Sequence, residues 1–216
     1  MSENNPEGSN LICEKALVFS IFGHKPPELG GFDELSPLNR WVKFSLKSLL
    51  SHITRINPGS TFLCGGHPGT EMWGCEELLA IKSKHPERNI RVVLVLPFPN
   101  LSGRSPDGSE LGGHHWPLST HNRLKNIMSK ADEVKVLSEG PYSSWRLRSR
   151  DEWVIMESSG VIAVLKPEET KNPVYHALKL ADRKGIQVCI VDPIKETIRT
   201  GLPEPEQKTA GKEDAN

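Results

Sequence analysis

Residues 60–73 read STFLCGGHPGTEMW. Ser60–Cys64 is a short apolar run of strand character. Thr70–His85 then carries Met72, Trp73, Leu78, Leu79 and Ile81 at helical spacing. Between the two stand Gly65, Gly66 and Gly69. A strand that passes through glycines into a helix is one unit of an α/β protein.

The alternation continues in both directions. Ala16–Ile21 reads as a strand, and Ser36–Asn57 as a helix with Leu38, Trp41, Val42, Leu46, Leu49, Leu50 and Ile53 on its apolar face. Ile90–Leu96 is β-branched and nearly continuous, as expected of a strand covered on both faces. Leu118–Lys130, Ser144–Ser158 and Pro173–Lys184 read as helices. Glu133–Leu137, Val161–Leu165 and Gln187–Val191 read as strands. Strands alternating with long helices predict a Rossmann-like, three-layer α/β/α fold with a mainly parallel sheet of about six strands. One domain over residues 11–200 is expected, with a polar lead at 1–10 and a polar tail at 201–216.

Composition narrows the function. The chain has 216 residues, with 27 Lys+Arg against 27 Asp+Glu. Zero net charge excludes a globally basic nucleic-acid binder and makes a nucleic-acid partner unlikely. Mean hydropathy is −0.42. No apolar run approaches the roughly 18 residues of a membrane helix, and the N-terminus lacks a basic-then-apolar signal. A soluble, cytoplasmic protein is expected. Cys13, Cys64, Cys75 and Cys189 form no CxxC pair, so neither a zinc ribbon nor a disulfide framework is indicated.

In open parallel sheets, ligands bind beyond the carboxyl ends of the strands. The first such loop is Gly23-His24-Lys25-Pro26: His24 and Lys25 suit a phosphate, or the segment is a proline-stiffened turn. The Gly65, Gly66, Gly69 loop is a phosphate or ribose cradle at a helix start, or a turn that packs helix close to sheet. Thr70 is placed to cap that helix, and Glu71 suits its dipole. The loop is neither GxGxxG nor a Walker sequence. Pro97 opens a patternless stretch, 97–117, holding Arg104, His114, His115 and Trp116, with His121 beyond it. Either it folds over the ligand, with Trp116 stacking on a base and the histidines contacting phosphates, or it is a poorly ordered loop. The histidines lack a carboxylate or cysteine at ligand spacing, so no metal and no cofactor are expected. Arg150 precedes the apolar run 153–156 and is placed to reach inward. Lys171-Asn172-Pro173 offers an anion contact or an ordinary helix start.

Taken together, Gly23-His24-Lys25-Pro26, the run from Gly65 through Trp73 to Glu76, Pro97-Phe98 and the segment Arg150–Val161 resemble the SLOG superfamily in its YpsA/YoqJ-like branch. The resemblance spans about Val18–Asp192. It departs at Asp151, where Asn is frequent, at Ser159, where Asp is frequent, and at Lys171-Asn172-Pro173, which replaces a Gly-Gly-Thr. It implies a nucleotide or nucleotide-derived ligand, ADP-ribose-like or cyclic, held by the Gly23 and Gly65–Thr70 loops in a sensor or sequestering module. Lonely-guy relatives imply an alternative, a nucleotide N-glycosidase or deoxyribosyltransferase-like enzyme, with Glu71 and Glu76 as its carboxylates. DNA-processing DprA relatives imply a lesser one. Proteins of this kind often pair, and the apolar residues of Ser36–Asn57 either serve that or cover the sheet.

Overall fold

Strand residues of one-sided character alternate between two layers of core, and that alternation defines the architecture. A computed structural model describes residues 16–111, 115–166 and 171–202. The strands are β1 (Val18–Gly23), β2 (Thr61–Cys64), β3 (Arg91–Leu96), β4 (Glu133–Val136), β5 (Gly160–Val164), β6 (Gln187–Asp192) and β7 (Thr197–Thr200). The helices are α1 (Pro37–Ile56), α2 (Thr70–Lys84), α3 (Leu118–Lys130), α4 (Ser144–Glu157) and α5 (Pro173–Arg183). Val92, Leu94 and Leu96 of β3 pack with Leu46, Leu50, Met72, Leu78 and Ile127 of α1–α3. Val93 and Val95 face the other way, toward Val154, Ile155 and Leu178 of α4 and α5. A period of two thus puts apolar side chains on both faces, which a strand of a three-layer fold requires.

The sheet order is β4-β3-β2-β1-β5-β6-β7. The first six strands in sequence are parallel, and β7 runs antiparallel on β6. The fold class is the one the sequence predicts, with seven strands rather than about six. The added strand, Thr-Ile-Arg-Thr, carries one apolar side chain on an exposed edge and has no periodicity to announce it. Its hairpin is set by buried Asp192, whose Oδ1 accepts from the backbone N–H of Ile194 and Lys195.

Chain direction across the sheet decides where a ligand can sit. β1 to β4 step outward to one edge. α4 then carries the chain back across to β5 on the far side of β1. The order therefore reverses between β1 and β5, and the loops after those strands part there. Among the described residues no helix is long and apolar enough to cross a membrane. The expected lead at 1–10, Cys13, His114, Pro167 and most of the 201–216 tail lie outside the described residues. Ser36–Asn57 mainly covers the sheet: Val42, Leu46 and Leu50 of α1 are buried, while Phe44 faces outward.

Candidate functional site

A cleft of about 1140 Å3 opens at the switch point. Gly23, Lys25 and Glu28 line it after β1, and His67 and Glu71 after β2. α4 contributes Arg148, Arg150 and Asp151, and α5 begins at the mouth with Lys171 and Asn172. From there the cleft continues between α4 and α5, past Leu147, Met156, Val174 and Leu180.

A buried ion cluster forms one wall. Arg150 stands one turn before Val154, on the side of α4 that meets the sheet, and is almost fully buried. Its Nη1 lies 3.2 Å from Glu71 Oε1, and its Nη2 lies 3.1 Å from His67 Nδ1. The His67 backbone N–H donates to Glu71 Oε2 at 3.0 Å. Burial by itself would push the Glu71 carboxyl up; the Arg150 guanidinium and the His67 contacts outweigh it and hold its pKa at about 2. Burial lowers the His67 pKa from the ordinary imidazole range, outweighing the raising effect of Glu71 beside it. Asp151, adjoining Arg150, is pushed up by burial to about 6, and nearby Glu71 adds to the rise.

The glycines serve this packing. A Cβ at Gly65 would overlap Arg150 Nη1 and Glu71 Oε2. A Cβ at Gly23 would overlap the Thr70 side chain. Gly66 and Gly69 have φ of +81° and +91°, where an L side chain is strained. Gly69 is the N-cap of α2. The Thr70 hydroxyl, expected to cap the helix, instead donates to the His24 carbonyl at 3.0 Å and ties the first two loops together.

His24 is fully buried rather than at the mouth. The Lys166 N–H donates to its Nε2 at 2.9 Å, and Asn172 Nδ2 approaches its Nδ1 at 3.3 Å. It straps the β1 loop to the β5 loop. Asn172 is the N-cap of α5, accepting from the Val174 N–H, as in an ordinary helix start, and it lines the cleft. Lys25 is exposed at the mouth, as expected.

Gly65, Gly66, Gly69 and Thr70, like His24, are not among the residues lining the cleft, and three further expected residues lie away from it. Glu76 faces α3, where Arg123 binds it through Nε and Nη2 at 2.9 and 2.6 Å. Five residues of helix from Glu71 turn it well off the cleft-facing side. Pro97 is buried, and its carbonyl accepts from the Ser138 hydroxyl. Trp116 packs on the α1–α3 side of the sheet, its ring 6.0 Å from that of His67. The described part of the 97–117 stretch is held by its own contacts: Arg104 pairs with Glu110 across a bridge and donates to the Trp116 carbonyl, and Ser102 bonds His121. None of its described residues lines the large cleft, because Phe98, Leu101 and Trp116 bury on the opposite face. Sequence reasoning missed His67 and Asp151; their only signal was adjacency to the glycine loop and to Arg150.

Fold and site define an open, mainly parallel α/β protein with a charged cleft at the switch point. The chain belongs to the YspA SLOG family, which it matches over residues 19–195. It is 27% identical over 166 residues to a UPF0398 protein of Brevibacillus brevis, covering 76% of this chain and 80% of that one. It is 24% identical over 160 residues to the UPF0398 protein YpsA of Bacillus subtilis, covering 73% and 81%. Its fold is like that of DNA processing protein A from Helicobacter pylori, a single-stranded DNA binder, with a TM-score of 0.54 at 16% identity over 84% of this chain and 71% of that one. The Streptococcus pneumoniae protein gives 0.50 at 12% identity, with 82% of this chain on 50% of that one.

Proposed function

We propose that the switch-point cleft binds a nucleotide or nucleotide-derived anion, as a sensor or sequestering module. The observation that carries this is the convergence of Lys25, Arg148, Lys171 and the capped start of α5 on a cleft with apolar walls. Such a site offers cations and a helix start to phosphates and apolar surface to a base. Binding is favoured over turnover by the state of the two carboxylates. Glu71 is committed to Arg150 and the His67 N–H, and Glu76 to Arg123. A glycosidase needs a carboxylate free to meet the anomeric carbon.

The test is a thermal-shift screen against mononucleotides, dinucleotides, ADP-ribose, cyclic oligonucleotides and a single-stranded DNA oligomer, with chromatography of each hit. At 100-fold over Kd, an intact ligand should stabilise by about 2.7 kcal/mol. Lys25→Ala and Lys171→Ala should weaken it. Release of free base would favour the enzyme. The fold likeness to a single-stranded DNA binder makes the oligomer a necessary arm. A shift with the oligomer alone, lost with rising salt, would favour nucleic acid. No shift with any of them defeats the reading.

A further inference from the structure

The ion cluster contains one fixed cation and two carboxyls. Arg150 is the cation and Glu71 and Asp151 are the carboxyls, with the His67 ring set against Glu71. Glu71 takes the aligned contact from Nη1 together with the His67 N–H. Asp151 Oδ1 lies 3.1 Å from Arg150 Nε, yet neither atom makes an aligned hydrogen bond, and both are buried. The Asp151 side chain keeps only 23% of its surface exposed, and that part faces the cleft. One guanidinium is thus shared by two carboxyls in a desolvated wall, and only Glu71 takes an aligned hydrogen bond from it.

A carboxyl in that position resists ionisation, and an anionic ligand placed beside it adds to the resistance. A protonated carboxyl is also a donor, where an ionised one only accepts. We propose that Asp151 meets the ligand as a neutral acid: an anionic nucleotide enters the cleft together with one proton, which Asp151 holds and donates as a hydrogen bond to a ligand oxygen. This rests on the nucleotide reading and specifies how that site is regulated. The charged groups acting most on Asp151 are Arg150 and Glu152 on its own helix, Glu71 on α2 and Lys25 after β1; Arg148 of α4, His67 after β2, and Lys171 and His176 at the start of α5 line the same cleft. Lys25 and Arg150 oppose protonation; Glu71, Glu152 and burial favour it.

The consequence is affinity that falls as pH rises, because the ligand must then recruit a proton that the free protein has lost. ADP-ribose is the probe, since its two phosphates are diesters with no proton to exchange near neutrality. Calorimetric titration of the full chain, in buffers of different ionisation enthalpy, counts protons taken up. Uptake should approach one at about pH 7.5 and vanish near about pH 5, with Kd about tenfold weaker or more at the higher value. Asp151→Asn keeps a neutral donor at every pH. It should bind at both pH values with the wild-type low-pH affinity and take up no proton. His67→Gln should keep the pH dependence, which separates Asp151 from the neighbouring imidazole. ADP-ribose binding that is indifferent to pH, or a dependence that survives in Asp151→Asn, overturns the inference and leaves the nucleotide reading standing. An Asp151→Asn variant that melts like wild type yet binds weakly at every pH also overturns it. No binding of ADP-ribose or of any other nucleotide of that screen, at either pH, overturns the nucleotide reading with it.

Discussion

Replacing Arg150 by Met keeps most of the buried volume and removes the charge that holds Glu71. The magnitude can be worked two ways. Glu71 falls from 4.5 to about 2 in the folded protein. At about 1.4 kcal/mol per unit, this is about 3 kcal/mol of stability. Removing one partner of a buried pair costs about 3–5 kcal/mol by general experience, which agrees. The sign follows from the direction of the shift. A carboxyl with a depressed folded pKa contributes its stability above the unfolded value and loses it as pH falls through the folded one. The wild-type contribution is therefore complete at neutral pH and fades from about pH 4.5 toward about pH 2. In Arg150→Met, only the His67 contacts still oppose burial at Glu71, so its pKa rises from that depressed value. Urea unfolding at about pH 7 should show the variant less stable by about 3–5 kcal/mol, with the gap narrowing as pH falls toward about 4. The double variant with Glu71→Gln should recover much of the loss. A cost under about 1 kcal/mol, or a gap that does not move with pH, would refute the view that Arg150 is bound up with Glu71.

Other substitutions separate packing from binding. Gly65→Ala forces the Arg150 guanidinium off Glu71, so its cost should approach that of Arg150→Met and shrink when combined with it; additivity of the two in urea unfolding would contradict this. Gly69→Ala combines a φ of +91° with a Cβ 2.8 Å from the His24 carbonyl, and thermal melting should show a loss of about 2–4 kcal/mol. Glu76→Gln breaks a half-exposed pair with Arg123 and should cost within about 1 kcal/mol, with ligand affinity unchanged in a binding titration.

The fold was legible because its signals are local. The helix starts at Pro37 and Pro173 are set by capping Ser36 and Asn172, those at Thr70, Leu118 and Ser144 follow side-chain period without a capping side chain, and Ile90–Leu96 declared a doubly covered strand by its continuous apolar run. β7 escaped because its pairing with β6 owes little to its own side chains. The site was legible in part. Sheet topology made Lys25, Glu71, Arg150 and Asn172 neighbours of one cleft, and each was marked by its place after a strand or beside an apolar run.

What the sequence determined by itself is the alternation of strands and helices, and therefore which loops gather at one edge of the sheet. What only the tertiary structure decided is which side chains meet there. Arg150 and Glu71 are 79 positions apart, and His24 and Lys166 are 142 apart. Whether a carboxylate is paired, or a histidine buried, depends on the crossover of α4 back to β5. No local period encodes that crossover. Helix rotation between Glu71 and Glu76 turned the latter toward Arg123 of α3, and the described part of 97–117 lies on the opposite face because its apolar side chains are drawn to the core surface open beside them.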